Sequence, residues 1–526
     1  MVDNATKGPD RVNIRSMLKS DRPLFAVRDR SRALSLVVVT ALSSTMACIE
    51  RGEPIESIKV GLLVPNSGGL ASLGKSWENA ARLAVEQINS AGGLFDGREM
   101  EVLIEDSGSD PGPAEQATKA LLEEGVVGIV GPASSSEVAR VKPLTDSASV
   151  PLLSCCATSA SLTEAQTDRN GYFFRTAPND NYQAEALAFL GANGTRGPHP
   201  SFTGAGPGET LDSCPDMIII AQDDEYGSKL AAGLETTFAG RDISTFDVDG
   251  EKIPLLDDGG QPAIGRVILN QAFTAGFAQG KDPNDPDVIA AAALVIDPVL
   301  AAFVAPSGHD FTWNPNTCFT IVAFGEDGAA VFSELHRRLV GLVNTIRTDV
   351  ADPRYDENFV LNRVYLGPDG MNDSAFATNA GAFAPLLVGT APTHAANTAY
   401  GKFDNAFRAR FSTPPGSFTS QMFDATMLLG LAITSANAAD GESIRDAIFE
   451  VSRTGQRFDG AFFGEMAEAL LRGDDIDYVG PSGELDMDDA GDIIGDYALW
   501  RAQLAGSTYS IAETDFLPAA DFALPR

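Results

Sequence analysis

Two short apolar runs, "GVVGIV" ending at Val130 and "VPLL" ending at Leu153, are each followed by small polar side chains: Ser134, Ser135 and Ser136, then Ser154, Cys155, Cys156 and Thr158. Small hydroxyls at the ends of buried strands can donate to a carboxylate without filling the space it needs. Ser135 also lies where a helix should begin, and unpaired N–H groups and the helix dipole favour an anion there. A second set has the opposite character. Asp223-Asp224-Glu225-Tyr226 follows "MIIIAQ", Glu326-Asp327 follows "TIVAFG", and Asp369 follows "RVYLGP". Hydroxyl donors on one side and acidic acceptors on the other are what a zwitterion held between two bodies requires. The plainer reading of the same residues is helix capping, and one of the three serines is expected to be a cap.

The elements that must position these residues follow from periodicity. "IESIKVGLLVP", "EMEVLIEDSG", "VVGIVG", "VPLLSC" and "GYFFRTA" read as strands, and "SWENAARLAVEQINSAGG", "PGPAEQATKALLEEG" and "SSSEVARVKPLTDSAS" as the helices between them. Proline opens the second helix and glycine closes the first two. This alternation predicts a doubly wound parallel α/β sheet. The pattern restarts near Asn181 and predicts a second such unit. Two stretches interrupt it, 193–215 and 250–316, and "DVIAAAALVIDPVLAAFVAPSG" within the latter fits helix or strand equally. In open parallel sheets ligands bind beyond the carboxyl ends of the strands, where both polar sets fall.

The chain has 526 residues and a formal charge of −34. No Lys/Arg stripe is present, which argues against a nucleic-acid partner. The N-terminus differs from the rest: residues 1–47 hold eight Lys/Arg against four Asp/Glu, and the remainder holds 30 against 68. Within it, "RDRSRALSLVVVTALSSTMAC" has a basic start, a short apolar run and small residues before Cys48, an export-signal pattern. Met17 is an alternative start. The apolar run is shorter than the ~20 residues a transmembrane helix needs. Export permits disulfides. Cys214 and Cys318 each precede a strand-like run, and a disulfide suits them if those strands are parallel neighbours. Cys155 and Cys156 are expected as two buried thiols.

Enzymatic readings find little support. His199, His309, His336 and His394 are scattered with no metal-ligand spacing, and there is neither a G-x-S-x-G elbow nor a Walker glycine loop. A hydrolase using Ser135 would lack a base. "GELDMDDAGDIIGD" lacks the ordered ligands of a calcium loop and reads as a solvated turn. The chain is therefore read as a non-enzyme without metal or cofactor.

"IKVGLLVPNSGGLASLGKSWENAARLAVEQINSAGGLFDGREMEVLIEDSGSDP" resembles the opening of branched-chain amino-acid-binding proteins, the solute receptors of ABC importers with the type I periplasmic binding fold. The resemblance continues through "GIVGPASSSEVARVKPLTDSASVPLLSCCATSASLT", "YFFRTAPNDNYQA", "DDEYG", "VYLGPDGMNDSA" and "GELDMDDAGDIIGDYALWR". It implies a lipidated Cys48 after a signal peptide (1–47) and a linker (48–56). It further implies lobe 1 from 57–179 with 393–465, lobe 2 from 180–392 with 466–505, and a tail at 506–526. Three crossings, near Ala177–Asp180, Gly389–Thr393 and within 452–482, would form the hinge. On that layout the strands after Cys214 and Cys318 are neighbours. The ligand's carboxylate would fall to Ser135, Cys156 and Thr158 beside Ser134, which would also help with its amino group. Asp180 would stand at the hinge, and from lobe 2 Tyr226 would face the ligand and Asp369 would bind the ammonium, with Glu326 nearby. Leu73 replaces a covering aromatic, and no aromatic stands at Gly325–Glu326 where another is expected. The resemblance implies a monomeric lipoprotein that binds an amino acid or similar small carboxylate for an importer's permease. The alternative is an envelope sensor or scaffold that kept the fold without transport.

Overall fold

A computed structural model describes residues 56–194, 213–246, 252–256, 260–303, 317–352, 355–359, 361, 364–393, 397–460, 463–505 and 508–519. The signal segment, Cys48, His199, His309, His394 and most of 193–215 lie outside them. The first sheet takes β1 (Ile58–Val64), β2 (Met100–Asp106), β3 (Ile129–Val130), β4 (Leu152–Ser154) and β5 (Phe173–Arg175) in the order β2-β1-β3-β4-β5, all parallel. Helix α1 (Ala71–Ser90) covers one face, and α2 (Pro111–Glu123) and α3 (Ser135–Ala148) cover the other. Local chemistry sets their ends. Asp110 caps α2 ahead of Pro111, and Gly93 reverses the chain after α1 at φ +84°.

After α4 (Asp180–Asn193) the chain builds a second sheet. It comprises β6 (Asp216–Gln222), α5 (Glu225–Phe238), a small hairpin of β7 (Ser244–Phe246) and β8 (Lys252–Pro254), β9 (Arg266–Phe273), α6 (Pro286–Phe303), β10 (Thr317–Val322), α7 (Gly325–Thr348), β11 (Val364–Gly367), α8 (Ser374–Ala380) and β12 (Leu387–Pro392). Strands β9-β6-β10-β11-β12 are parallel neighbours. The region 250–316 is thus more than an insertion, because its β9 is an integral edge strand. The ambiguous Ala/Val-rich piece is the helix α6.

The chain then returns to the first body as α9 (Thr398–Phe411), α10 (Thr419–Ala436), α11 (Gly441–Val451), β13 (Gln456–Asp459), α12 (Phe463–Leu471), β14 (Ile476–Gly480) and β15 (Gly483–Glu484). Residues Thr419–Thr434 of α10 are all buried, packed against α1. No single described helix is long and apolar enough to cross a membrane.

Two sequence boundaries need correction. Phe463, Met466, Ile476, Tyr478 and Ile493 all join the core of the first sheet, so lobe 1 runs to Ile493 rather than 465. The third crossing falls at Ile494–Asp496, later than the expected 452–482. The described part of the expected tail, residues 508–519, is also structured. β16 (Tyr497–Ala505) pairs antiparallel with β12, and β17 (Thr508–Leu517) pairs with β16, extending the second sheet to the order β17-β16-β12-β11-β10-β6-β9.

The cysteines fall into two pairs. Cys214 and Cys318 stand before parallel neighbours β6 and β10, with Cα atoms 5.6 Å apart and sulfurs at bonding distance. The sulfurs of Cys155 and Cys156 are also at bonding distance, which replaces the expectation of two free thiols. The first pair closes a loop of 104 residues. A cross-link of that span is worth roughly 4–5 kcal/mol through the unfolded chain. Replacing both Cys214 and Cys318 by alanine should therefore lower the denaturant midpoint clearly. An unchanged midpoint would show that no bond forms there.

Candidate ligand-binding site

A cavity opens between the carboxyl ends of the two sheets. Leu70, Leu73, Trp77, Ala133, Ser134, Ser135, Cys156 and Phe418 line it from the first body, and Tyr226, Phe324, Asp369 and Gly370 from the second.

The donor side is built on α3 and the loop after β4. Ser134 is the cap of α3: its Oγ accepts the Glu137 N–H at 3.3 Å and donates to Glu137 Oε2 at 2.8 Å, while Glu137 Oε2 also accepts the Ser134 N–H. That capping box commits its hydroxyl to the fold. Ser135 Oγ accepts the Ser159 N–H at 3.1 Å, which leaves its O–H to donate. Ser136 Oγ turns to the second body and accepts the Glu225 N–H at 3.3 Å. Cys156 lines the cavity beside Ala133 and Ser135. Thr158 is buried, and its carbonyl accepts the Asp180 N–H at 2.7 Å, joining the loop to the first crossing.

The acceptor side carries Asp369 on the cavity lining, and a second buried carboxylate, Asp180, lies outside that lining. Asp180, the first residue of α4, is 3% exposed. Neither of its oxygens has a hydrogen-bond partner among the described residues, and the same holds for the Thr158 hydroxyl, although Thr158 stands near enough to favour the ionised acid. Burial first, and the charge of Asp369 second, push the Asp180 carboxyl well above the usual carboxylate range. Asp369 Oδ1 accepts the Tyr226 hydroxyl at 2.5 Å and the Gly370 N–H at 2.8 Å. Burial still lifts its pKa to about 6. Tyr226 is pushed well above its ordinary value by burial and by both acids, so it stays a neutral donor. Two carboxyls out of water that raise each other's cost of ionisation, with no ion pair to either among the described residues, suit a cationic ligand group.

Glu326 does not line the cavity. Its carboxylate accepts the Gly280 N–H, and its neighbour Asp327 accepts N–H groups of Gly276 and Ala278 at 2.6 and 2.7 Å. These acids tie down the loop that precedes α6. His336, on α7, is buried against Tyr365 and Phe383, away from the cleft.

Sequence reasoning missed the aromatic wall. Trp77, Phe324 and Phe418 line the cavity together with Tyr226, whose ring centroid is 6.3 Å from that of Phe324. Phe324 lies one residue before the position where the resemblance implies an aromatic. Phe418 sits at φ +55°, a strained conformation for a bulky residue. It is held there by the Trp77 Nε1 bond to Ser417 O (2.8 Å) and by the Gly416 N–H bond to Thr419 Oγ1 (2.9 Å).

Direct bonds join the two bodies at the mouth. Ser72 Oγ donates to Asp373 Oδ2 at 2.8 Å, and the hydroxyls of Ser159 and Ser161 donate to Glu225. The cleft is therefore in a closed arrangement.

The family model described as "Periplasmic binding protein" matches residues 57–277. The leucine-, isoleucine-, valine-, threonine- and alanine-binding protein of Pseudomonas aeruginosa is 21% identical over 75% of this chain and 82% of its own length. An uncharacterized protein of Methanocaldococcus jannaschii, MJ1266, is 32% identical over 26% of this chain, and the match spans only 34% of that relative's length. Among solved structures, the branched-chain amino acid transporter substrate-binding protein LivJ of Streptococcus pneumoniae, in complex with isoleucine, superposes with a TM-score of 0.55 at 19% identity. That likeness covers 87% of this chain and all of LivJ, and it establishes the fold.

Proposed function

We propose that this chain is a type I periplasmic binding protein of the branched-chain amino acid transporter type, supported by the family match over residues 57–277 and by its relatives, and that it captures an α-amino acid with a sizeable apolar side chain in the closed cleft. The observation that carries this reading is the Asp180–Asp369 pair, buried and with no ion pair to either acid among the described residues, opposite hydroxyl donors. An ammonium group between Asp180, Asp369 and the Tyr226 oxygen would supply the missing charge. The carboxylate would lie against the Ser135 hydroxyl, Thr158 and the start of α3, where the dipole favours an anion. Trp77, Phe324, Phe418 and Leu70 offer the side chain an apolar surface. The protein then acts as an exported, monomeric lipoprotein anchored through Cys48 that delivers its ligand to the permease of an ABC importer. No catalytic step is assigned to it.

The test is a thermal-shift screen of the mature chain from Ile49 against the twenty L-amino acids, small amides and benzoate. A ligand at 100 times its Kd adds about 2.7 kcal/mol of stability. A shift is expected with an apolar α-amino acid, and none with its deaminated analogue. A shift with benzoate alone would replace the ammonium reading with an aromatic-acid one. Silence from a folded protein would favour the sensor or scaffold alternative.

A further inference from the structure

The sequence run "DMDDAGDII", read above as a solvated turn, does something else in the fold. Asp492 within it is buried and paired with Arg175, the last residue of β5, whose side chain is wholly inaccessible. We propose that Arg175 and Asp492 are positioning residues, a buried strut that holds the carboxylate-side loop 157–163 in its binding geometry and ties it to the third crossing.

The argument rests on where the guanidinium spends its donors. Arg175 Nε donates to Asp492 Oδ1 at 2.6 Å. Nη1 donates to the carbonyls of Ala157 and Ser159 at 3.0 and 2.9 Å, one on each side of Thr158. Nη2 donates to Thr163 Oγ1 at 2.7 Å. Because a trans peptide points its N–H opposite its C=O, fixing the Ala157 carbonyl on Arg175 also fixes the direction of the Thr158 N–H. The Ser159 N–H is turned to Ser135 on the other side.

Asp492 completes the frame. Its Oδ2 accepts the Thr163 hydroxyl and the Asn179 amide, both at 2.9 Å. The Arg175 N–H donates to the Gly491 carbonyl at 3.1 Å. Asn179 belongs to the first crossing, and residues 491–492 lead into the third. One ion pair thus joins the ligand loop to two of the three segments that bend when the lobes move. The Arg175 charge also opposes the rise of the Asp180 pKa, so the strut reaches the ammonium side as well. A rigid planar fork is needed for this set of acceptors, which lysine cannot span.

Hydrogen exchange read by mass spectrometry on the mature chain tests the strut. Arg175→Lys keeps a charge for Asp492 but loses the fork. The double variant Arg175→Met/Asp492→Asn removes both charges, a change that leaves many buried pairs near neutral in stability. Thr163→Val is milder and keeps the ion pair. In the first two, peptides covering 156–163 should exchange at least about tenfold faster while those of β1 are unchanged, and Thr163→Val should show a smaller increase of the same kind. Any of these that melts cooperatively decides the matter: unchanged protection of 156–163 overturns the strut. The affinity arm rests on the function proposed above and uses L-isoleucine. Weakened binding by a cooperatively folded Arg175→Lys supports the strut, and wild-type affinity there overturns its role in binding. Failure of the wild-type protein to bind L-isoleucine counts against the ligand reading and leaves the exchange result to decide.

Discussion

Asp180→Asn is expected to stabilise the ligand-free protein and at the same time to destroy ligand binding. The two effects share one cause. The carboxyl of Asp180 is buried with neither oxygen hydrogen-bonded among the described residues, within the fields of Asp369 and Asp224, and the Arg175 charge opposes them. Holding such a group costs stability, whether it is kept ionised or kept protonated above its unfolded pKa. An amide of the same shape removes that cost, a gain of about 1–3 kcal/mol at pH 7. The sign can be checked with pH. A carboxyl whose folded pKa is raised lowers stability progressively as pH rises above its unfolded value. The gain from asparagine should therefore shrink as pH falls toward 4, where the unfolded aspartate is itself protonated. Binding should move the other way. Losing a buried charged partner of an ammonium costs at least ~3 kcal/mol, about 100-fold in Kd. Melting curves at pH 4 and 7, with L-isoleucine titrations at pH 7, separate the terms. An Asp180→Asn variant that melts lower and binds unchanged would remove Asp180 from the site.

This coupling explains which parts of the site could be read from sequence. The doubly wound units were legible because strand and helix periods differ and glycine punctuates them. Ser135, Tyr226 and Asp369 were legible because topology places strand ends at the cleft, and all three line the cavity, whereas Thr158 and Asp180 are buried outside its lining. Other features depend on tertiary context. Trp77 lies on an amphipathic helix, and periodicity cannot tell a residue turned to the core from one turned to the cleft. Phe418 reaches the cavity only through a left-handed backbone held by Trp77 and Thr419, which no pattern of residue types announces. Glu326 looked like its acidic counterparts at other strand ends, but the loop 276–280 supplies N–H groups that draw it away. Asp492 was hidden in an acidic run because the partner that buries it lies 317 residues earlier. The lobe 1 boundary failed for a similar reason. Met466 and Tyr478 pack under α10, and their membership of that core is a matter of contact rather than of spacing.

Ligand affinity should be strongly pH-dependent on the acid side, and binding there should release protons. The Asp369 carboxyl has a folded pKa of about 6, raised by burial and partly restrained by the Tyr226 hydrogen bond. An ammonium ligand binds the ionised acid, so below pH 6 part of the binding energy is spent on deprotonation. Through Asp369 the Kd should rise about fivefold between pH 6 and 5, approach tenfold per unit below that, and lose this dependence above 7. Stability of the ligand-free protein should run opposite, falling as pH rises from about 4 to 6. Asp424 titrates in the same region, with a pKa of about 7 set by its burial, and it is bonded to Tyr478 and Ser482 under the first sheet's helices. Its carboxyl is committed to these two partners, so its proton is expected to be held equally with and without ligand and to cancel in the binding difference. Calorimetric titration of L-isoleucine in buffers of different ionisation heat measures that difference directly. At pH 5.5 Asp369 alone should release about three-quarters of a proton, and Asp180, raised well above the usual range, adds to the release, so a proton release that falls steadily as pH rises is the expected result. A Kd that stays constant from pH 5 to 8 with no proton released would mean that the ligand does not place a cation on this pair, and the carboxylates would then need another partner.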